Sequence, residues 1–164
     1  MDKVQLQGVY VGMPAPDFTA LTVAGEKVKL SDYQGKLVYL DFWATWCSPC
    51  IEAMPSIQKV ASGTKDDRFV ILLVSVDDKP GTVADFLKKR KKPLPGVVVH
   101  AERGMKGELA KLYNIESVPT NFLIGPDGKV LVNDVSSSNL RTTVRRELAK
   151  LKQPETRPVE TAGK

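Results

Sequence analysis

Leu37-Val38-Tyr39-Leu40-Asp41-Phe42-Trp43-Ala44-Thr45-Trp46-Cys47-Ser48-Pro49-Cys50 is the stretch that decides the fold. Leu37–Trp43 is a nearly continuous apolar run, the pattern of a strand buried on both faces. One charge interrupts it, Asp41. The stretch ends in a Cys-x-x-Cys pair that opens a helix running to about Ser62, with Pro55 inside to kink it.

Upstream, Gly12–Phe18 reads as an extended, proline-stiffened lead-in. Thr19–Thr22 and Lys27–Leu30 read as a small hairpin turning at Gly25, and Ser31 or Asp32 caps a short turn that ends at Gly35. Downstream, Phe69–Val76 is a second buried strand and Thr82–Lys92 an amphipathic helix carrying Val83, Phe86 and Leu87. Val97–Val99 is a short strand, and Met105–Tyr113 a helix with Leu109, Leu112 and Tyr113 on one face. Thr120–Ile124 and Val130–Val135 are strands joined by the turn Pro126–Lys129, and Leu140–Leu151 is a closing helix. Strands alternating with helices mean crossover connections and a parallel central sheet, to which the last hairpin adds an antiparallel pair. The class is therefore α/β with a mixed sheet. Residues 9–152 are expected to form one domain. Residues 1–8 are expected to be a disordered or artificially added N-terminus, and 153–164 a disordered tail rich in Pro, Thr and Glu.

Composition narrows the chemistry. The chain has 164 residues, 42% hydrophobic and 26% charged, enough for a core without covalent staples and against intrinsic disorder. No apolar run approaches the roughly 18 residues of a membrane span. The N-terminal Met1–Gln7 lacks the apolar core of a signal peptide, so the protein is cytoplasmic or an export or anchoring segment has been removed. The net charge is +5, with basic clusters at Lys88–Lys92 and at Arg141, Arg145, Arg146, Lys150 and Lys152. Neither cluster has the interleaved aromatics of a nucleic-acid surface, and both suit the C-terminal ends of helices. No nucleic-acid partner is expected.

Cys47 and Cys50 are the only cysteines and His100 the only histidine. Zinc would need two more ligands than the pair supplies, so no metal and no cofactor is expected. A purely structural disulfide closing so short a loop would constrain the unfolded chain little. A cycling dithiol fits better. Unpaired N–H groups and the positive dipole end in the first helical turn stabilise a thiolate, and in such motifs the thiol pKa falls from about 8.5 to about 3.5–7.5. Cys47, nearer the helix start and the surface, is the expected nucleophile and Cys50 the resolving thiol. Pro49 lacks an N–H where none would be paired. Asp41, six residues before Cys47, is expected to be a buried acid that takes and returns the proton of Cys50. Val118-Pro119-Thr120 precedes a strand, and a proline there marks an edge or a special geometry.

Asp41–Cys50 followed by Met54-Pro55 resembles the thioredoxin fold, and specifically the TlpA/ResA-like, AhpC/TSA-related thiol-disulfide oxidoreductases of the cytochrome c biogenesis type. Gly12-x-Pro14-Ala15-Pro16-Asp17-Phe18, with Gly25, Leu30 and Gly35-Lys36, is similar to that group's N-terminal hairpin. Val118-Pro119-Thr120, Phe122-Leu123-Ile124 and Pro126-Asp127-Gly128-Lys129 are similar to its second half. The resemblance implies a three-layer α/β/α sandwich with a hairpin extension and a central insert. It implies a cis Pro119 packed against the disulfide, with Trp46, Pro49, Val118 and Thr120 joining it in substrate binding. An accessory acid from the insert would be Asp77 or Asp78. The group's glutamate three residues after the second cysteine is here Ala53, and the nearby acid is Glu52.

The function so implied is reduction of disulfides in exported proteins, apocytochrome c among them, in a periplasmic or other extracytoplasmic setting. A membrane thiol-transfer protein would supply electrons, and any membrane anchor would lie outside this chain. The dipeptide Ser48-Pro49, without a histidine, leans toward a reductant. Two alternatives fit the residues less well. A peroxiredoxin would need Pro and Thr or Ser before its thiol where Leu40 and Ala44 stand. A thioredoxin-like module used mainly for partner binding would not need an intact Cys-x-x-Cys with Asp41 and Pro119.

Overall fold

A computed structural model describes residues 8–151; the expectations for 1–7 and 153–164 lie outside the described residues. The elements are β1 (Thr19–Thr22), β2 (Lys27–Lys29), β3 (Leu37–Trp43), α1 (Ser48–Gly63), β4 (Phe69–Ser75), α2 (Pro80–Lys89), β5 (Val97–His100), α3 (Glu108–Leu112), β6 (Thr120–Ile124), β7 (Val130–Asn133) and α4 (Leu140–Lys150). They build one seven-stranded sheet in the order β2-β1-β5-β4-β3-β6-β7. β3, β4 and β5 run parallel, while β6 and β1 join them antiparallel on either side. The sheet is mixed, and β3 lies near its middle with every residue buried.

Alternation along β3 sets the layers. Phe42 faces the Tyr113 and Phe122 rings, at centroid distances of 5.3 and 6.3 Å. Trp43 points the other way, 5.6 Å from the Phe86 ring of α2. Helices therefore cover both faces. Asp41 shares the Trp43 side of the strand and lines a cleft with Pro49 and Ala53 of α1.

Element ends differ from the sequence reading for local reasons. α2 starts two residues early, because Pro80 occupies a first-turn position where no N–H is needed. It stops at Lys89, before Pro93 and Pro95, so Lys91 and Lys92 of the basic cluster lie beyond the helix. The expected Met105–Tyr113 helix is split into a 3-10 turn at Gly104–Lys106 and the short α3. Gly107 breaks it with extended backbone, and a Cβ there would sit 1.8 Å from the Glu102 carbonyl oxygen. β7 ends at Asn133 because Asp134 takes a left-handed φ of 51°.

Candidate active site

Cys47 and Cys50 form a disulfide at the start of α1. Cys47 is the N-cap, with extended backbone, and its Sγ accepts the Cys50 N–H at 3.2 Å. No acidic residue occupies the first turn of the helix, so nothing offsets its positive end. Both features favour negative charge on Cys47 once the pair is reduced. Contrary to the expectation of a thiol near the surface, Cys47 is 4% exposed in the disulfide, against 1% for Cys50, while Trp46 next to it in sequence is 63% exposed.

The Val118–Pro119 bond is cis. The Val118 carbonyl oxygen lies 3.5 Å from Cys47 Sγ, and Thr120 Oγ1 donates to the Ser117 carbonyl at 2.7 Å, bracing the same turn. Pro119 is exposed and Val118 half-buried, so backbone on this side of the sulfur is open to an incoming chain. Pro49 and Pro119 share a cleft with Asp41. Asp41 is 2% exposed, its Oδ1 has no hydrogen-bond partner among the described residues, and burial pushes its pKa up to about 8.

The three accessory acids fall in different places. Glu52 is exposed on α1 and lines a shallow groove with Trp46 and Ser48. Asp78 is exposed and lines a separate cleft with the β1–β2 hairpin. Asp77 is buried and turned toward the active-site loop. Its carboxylate accepts the Thr45 N–H at 3.1 Å, the Thr45 hydroxyl at 2.6 Å and the Ser75 hydroxyl at 2.6 Å. His100 Nε2 is 2.6 Å from the Asp77 carbonyl oxygen. Thr45, Ser75 and His100 escaped sequence reasoning, although a threonine two residues before the first cysteine was a signal. Among the described residues no group of three His, Cys, Asp or Glu is placed to hold a metal.

A redox-active cysteine pair on a helix start, beside a cis-proline and at the end of a central parallel strand, defines a thiol-disulfide oxidoreductase of thioredoxin fold. Residues 11–132 match the AhpC/TSA family, and the chain belongs to it. It is 32% identical over 141 residues to the thiol-disulfide oxidoreductase ResA of Bacillus thuringiensis, covering 86% of this chain and 78% of that protein. It is 33% identical over 125 residues to ResA of Bacillus subtilis, covering 76% and 67%. The thioredoxin domain of a thiol-disulfide oxidoreductase from Bacteroides vulgatus superposes with a TM-score of 0.76 at 27% identity, covering 85% of this chain and 98% of that one. These similarities imply disulfide and dithiol substrates. No helix among the described residues is long and apolar enough to cross a membrane.

Proposed function

We propose that this chain reduces disulfides in extracytoplasmic proteins, apocytochrome c cysteines among them, and is recharged by a membrane thiol-transfer protein. The observation that carries this reading is the combination around Cys47: a helix-capping sulfur beside an open cis-proline turn, with a buried acid behind it. The Cys47 thiolate attacks one sulfur of the substrate disulfide. A mixed disulfide forms and the other substrate sulfur leaves as a thiolate, which water protonates. Cys50 gives its proton to the Asp41 carboxylate, and the resulting thiolate attacks Cys47 Sγ. The second substrate sulfur is released as a thiolate. Two electrons have passed from the protein dithiol to the substrate, and the Cys47–Cys50 disulfide remains.

Asp41 suits this step because a general base works best with a pKa near the operating pH. In this reading Trp46 and Pro49, next to the cysteines in sequence, and Val118, Pro119 and Thr120 of the cis-proline turn hold the substrate backbone; the Val118 carbonyl, 3.5 Å from Cys47 Sγ, supports it. Asp77 holds the Thr45–Cys47 loop in place. The relatives' names support the reaction class, and the lack of a histidine between the cysteines supports the reducing direction. The experiment is Cys50→Ser in an extracytoplasmic setting. It should accumulate mixed disulfides through Cys47 with thiol proteins of that compartment, resolved by dithiothreitol. Capture of no such partner overturns the reading.

A further inference from the structure

Asn121 is the one amide among the apolar side chains that follow Thr120 in β6. It is buried, and in register it sits directly across from Asp41. Its side chain turns to the loop between β7 and α4 instead. Nδ2 donates to the Val135 carbonyl at 3.0 Å, and Oδ1 accepts the Val135 N–H at 2.8 Å. The Asn121 carbonyl accepts the Asp134 N–H at 2.9 Å. Three hydrogen bonds thus fix a loop that bends at the left-handed Asp134.

Held this way, Asp134, Ser136 and Ser137 line one side of a cleft of about 220 Å³. Pro49 and the small Ala53 of α1 line the other, and Asp41 lies between them. The loop residues are exposed, so the cleft opens to solvent. It is polar and large enough for water, and Asp41 lines it, although the unpaired Oδ1 itself is covered. The remaining surroundings of Asp41 are closed. β4 presents Leu73 in register, and Asp41 is only 2% exposed. The titratable groups that share the cleft with it are Tyr39 on its own strand and Asp134 of the loop, and Pro49 beside them lies between the two cysteines in sequence.

We propose that this cleft is the proton route between Asp41 and bulk solvent, and that Asn121 is the positioning residue that holds its outer wall in place by clamping the β7–α4 loop, so that proton exchange runs through the cleft alone. The inference rests on the reading of Asp41 as the base that receives the Cys50 proton. A carboxyl that titrates near 8 must shed its proton before it can act again. A buried acid held well above the ordinary carboxylate range gives up its proton to water slowly. That is slow enough for access to matter and for a small buffer base entering the cleft to help.

The test is single-turnover reduction of a peptide disulfide by the reduced protein, followed by quenched flow with thiol alkylation. Wild type is compared with Ser137→Phe, Asn121→Leu and Asp41→Asn, with and without imidazole. Ser137→Phe fills the cleft and should slow resolution by Cys50 at least tenfold at pH 7. It should abolish acceleration by imidazole and leave the Cys47–Cys50 redox potential unchanged. In the Asp41→Asn background it should slow nothing further. Asn121→Leu strands the Val135 N–H and carbonyl, which then turn outward to water. Water entering behind the loop should lower the pKa seen in the pH–rate profile by at least one unit, which a mere loss of stability would not do. Unchanged resolution in Ser137→Phe, equal slowing by Ser137→Phe with and without Asp41, or an unmoved profile in Asn121→Leu overturns the proton route. If Asp41→Asn itself resolves as fast as wild type, the base assignment falls, and the route with it.

Discussion

Asp41→Asn makes a thermodynamic prediction independent of any substrate. The folded protein holds this carboxyl up at about 8 by burial, against an ordinary value of 3.8. The native state therefore keeps a proton that the unfolded chain has already released between those two values. Where the unfolded state binds fewer protons, stability falls as pH rises, by 1.36 kcal/mol per pH unit for one proton. From pH 4 to pH 7 the wild type should lose about 4 kcal/mol through this group alone. The loss continues to about pH 8, where Asp41 ionises in the folded state as well. Asparagine keeps the shape but cannot ionise, so the variant escapes the loss. Its own cost as a buried amide is the same at every pH, as are the other titrations both proteins share. Urea unfolding of the oxidised proteins at pH 4, 5.5, 7, 8 and 9 measures the difference. It should swing toward the variant by about 4 kcal/mol between pH 4 and 7 and flatten above 8. Parallel wild-type and variant curves across that range would falsify the raised pKa and, with it, the case for Asp41 as a neutral-pH base.

Two further outcomes concern the frame around the site. Asp77→Ala leaves the Thr45 and Ser75 donors stranded in a buried setting, and should cost about 3 kcal/mol or more in urea unfolding. Asp78→Ala, one residue on and exposed, should stay within about 0.5 kcal/mol, and equal losses for the two would show that the Asp77 bonds carry no weight. Gly107→Ala drives a Cβ into the Glu102 carbonyl and should lower the melting temperature by several degrees, whereas Gly63→Ala at the end of α1 meets nothing and should not. A Gly107→Ala protein that melts with the wild type would refute the close approach.

What was legible in the sequence followed from how many contacts each residue makes with its own neighbours in the chain. β3 and β6 were read to the residue, since a strand buried on two faces has no alternative pattern. The cysteine pair and the helix it opens were equally plain, as capping is local. The hidden part was long-range. Asp77 reaches Thr45 across 32 residues, and Asn121 reaches Val135 across 14. A polar residue in an apolar strand announces that it has a partner but not which one. The same is true of element ends. Pro93 and Gly107 are visible breakers, yet the Glu102 carbonyl that forbids a side chain at 107 becomes apparent only when the 3-10 turn has formed.

Two buried carboxyls lie close to this active site, and their surroundings divide the work between them. Both oxygens of Asp77 accept hydrogen bonds from the loop and strand they join. Donors aimed at a carboxylate make it a fixed point, and the Thr45–Trp46–Cys47 loop is anchored to that point. Asp41 lines a cleft with one oxygen unpaired, and its neighbours in register are Leu73 and an asparagine whose amide is committed elsewhere. No donor among the described residues stabilises its charge, so at neutral pH it is mostly protonated, with an ionised fraction that can take up and return a proton. A lysine in place of Leu73, or an Asn121 turned toward Asp41, would supply a donor and make it a second anchor. The chemistry of the cysteine pair thus depends as much on where β4 and β6 withhold hydrogen bonds as on where Ser75 and Thr45 provide them.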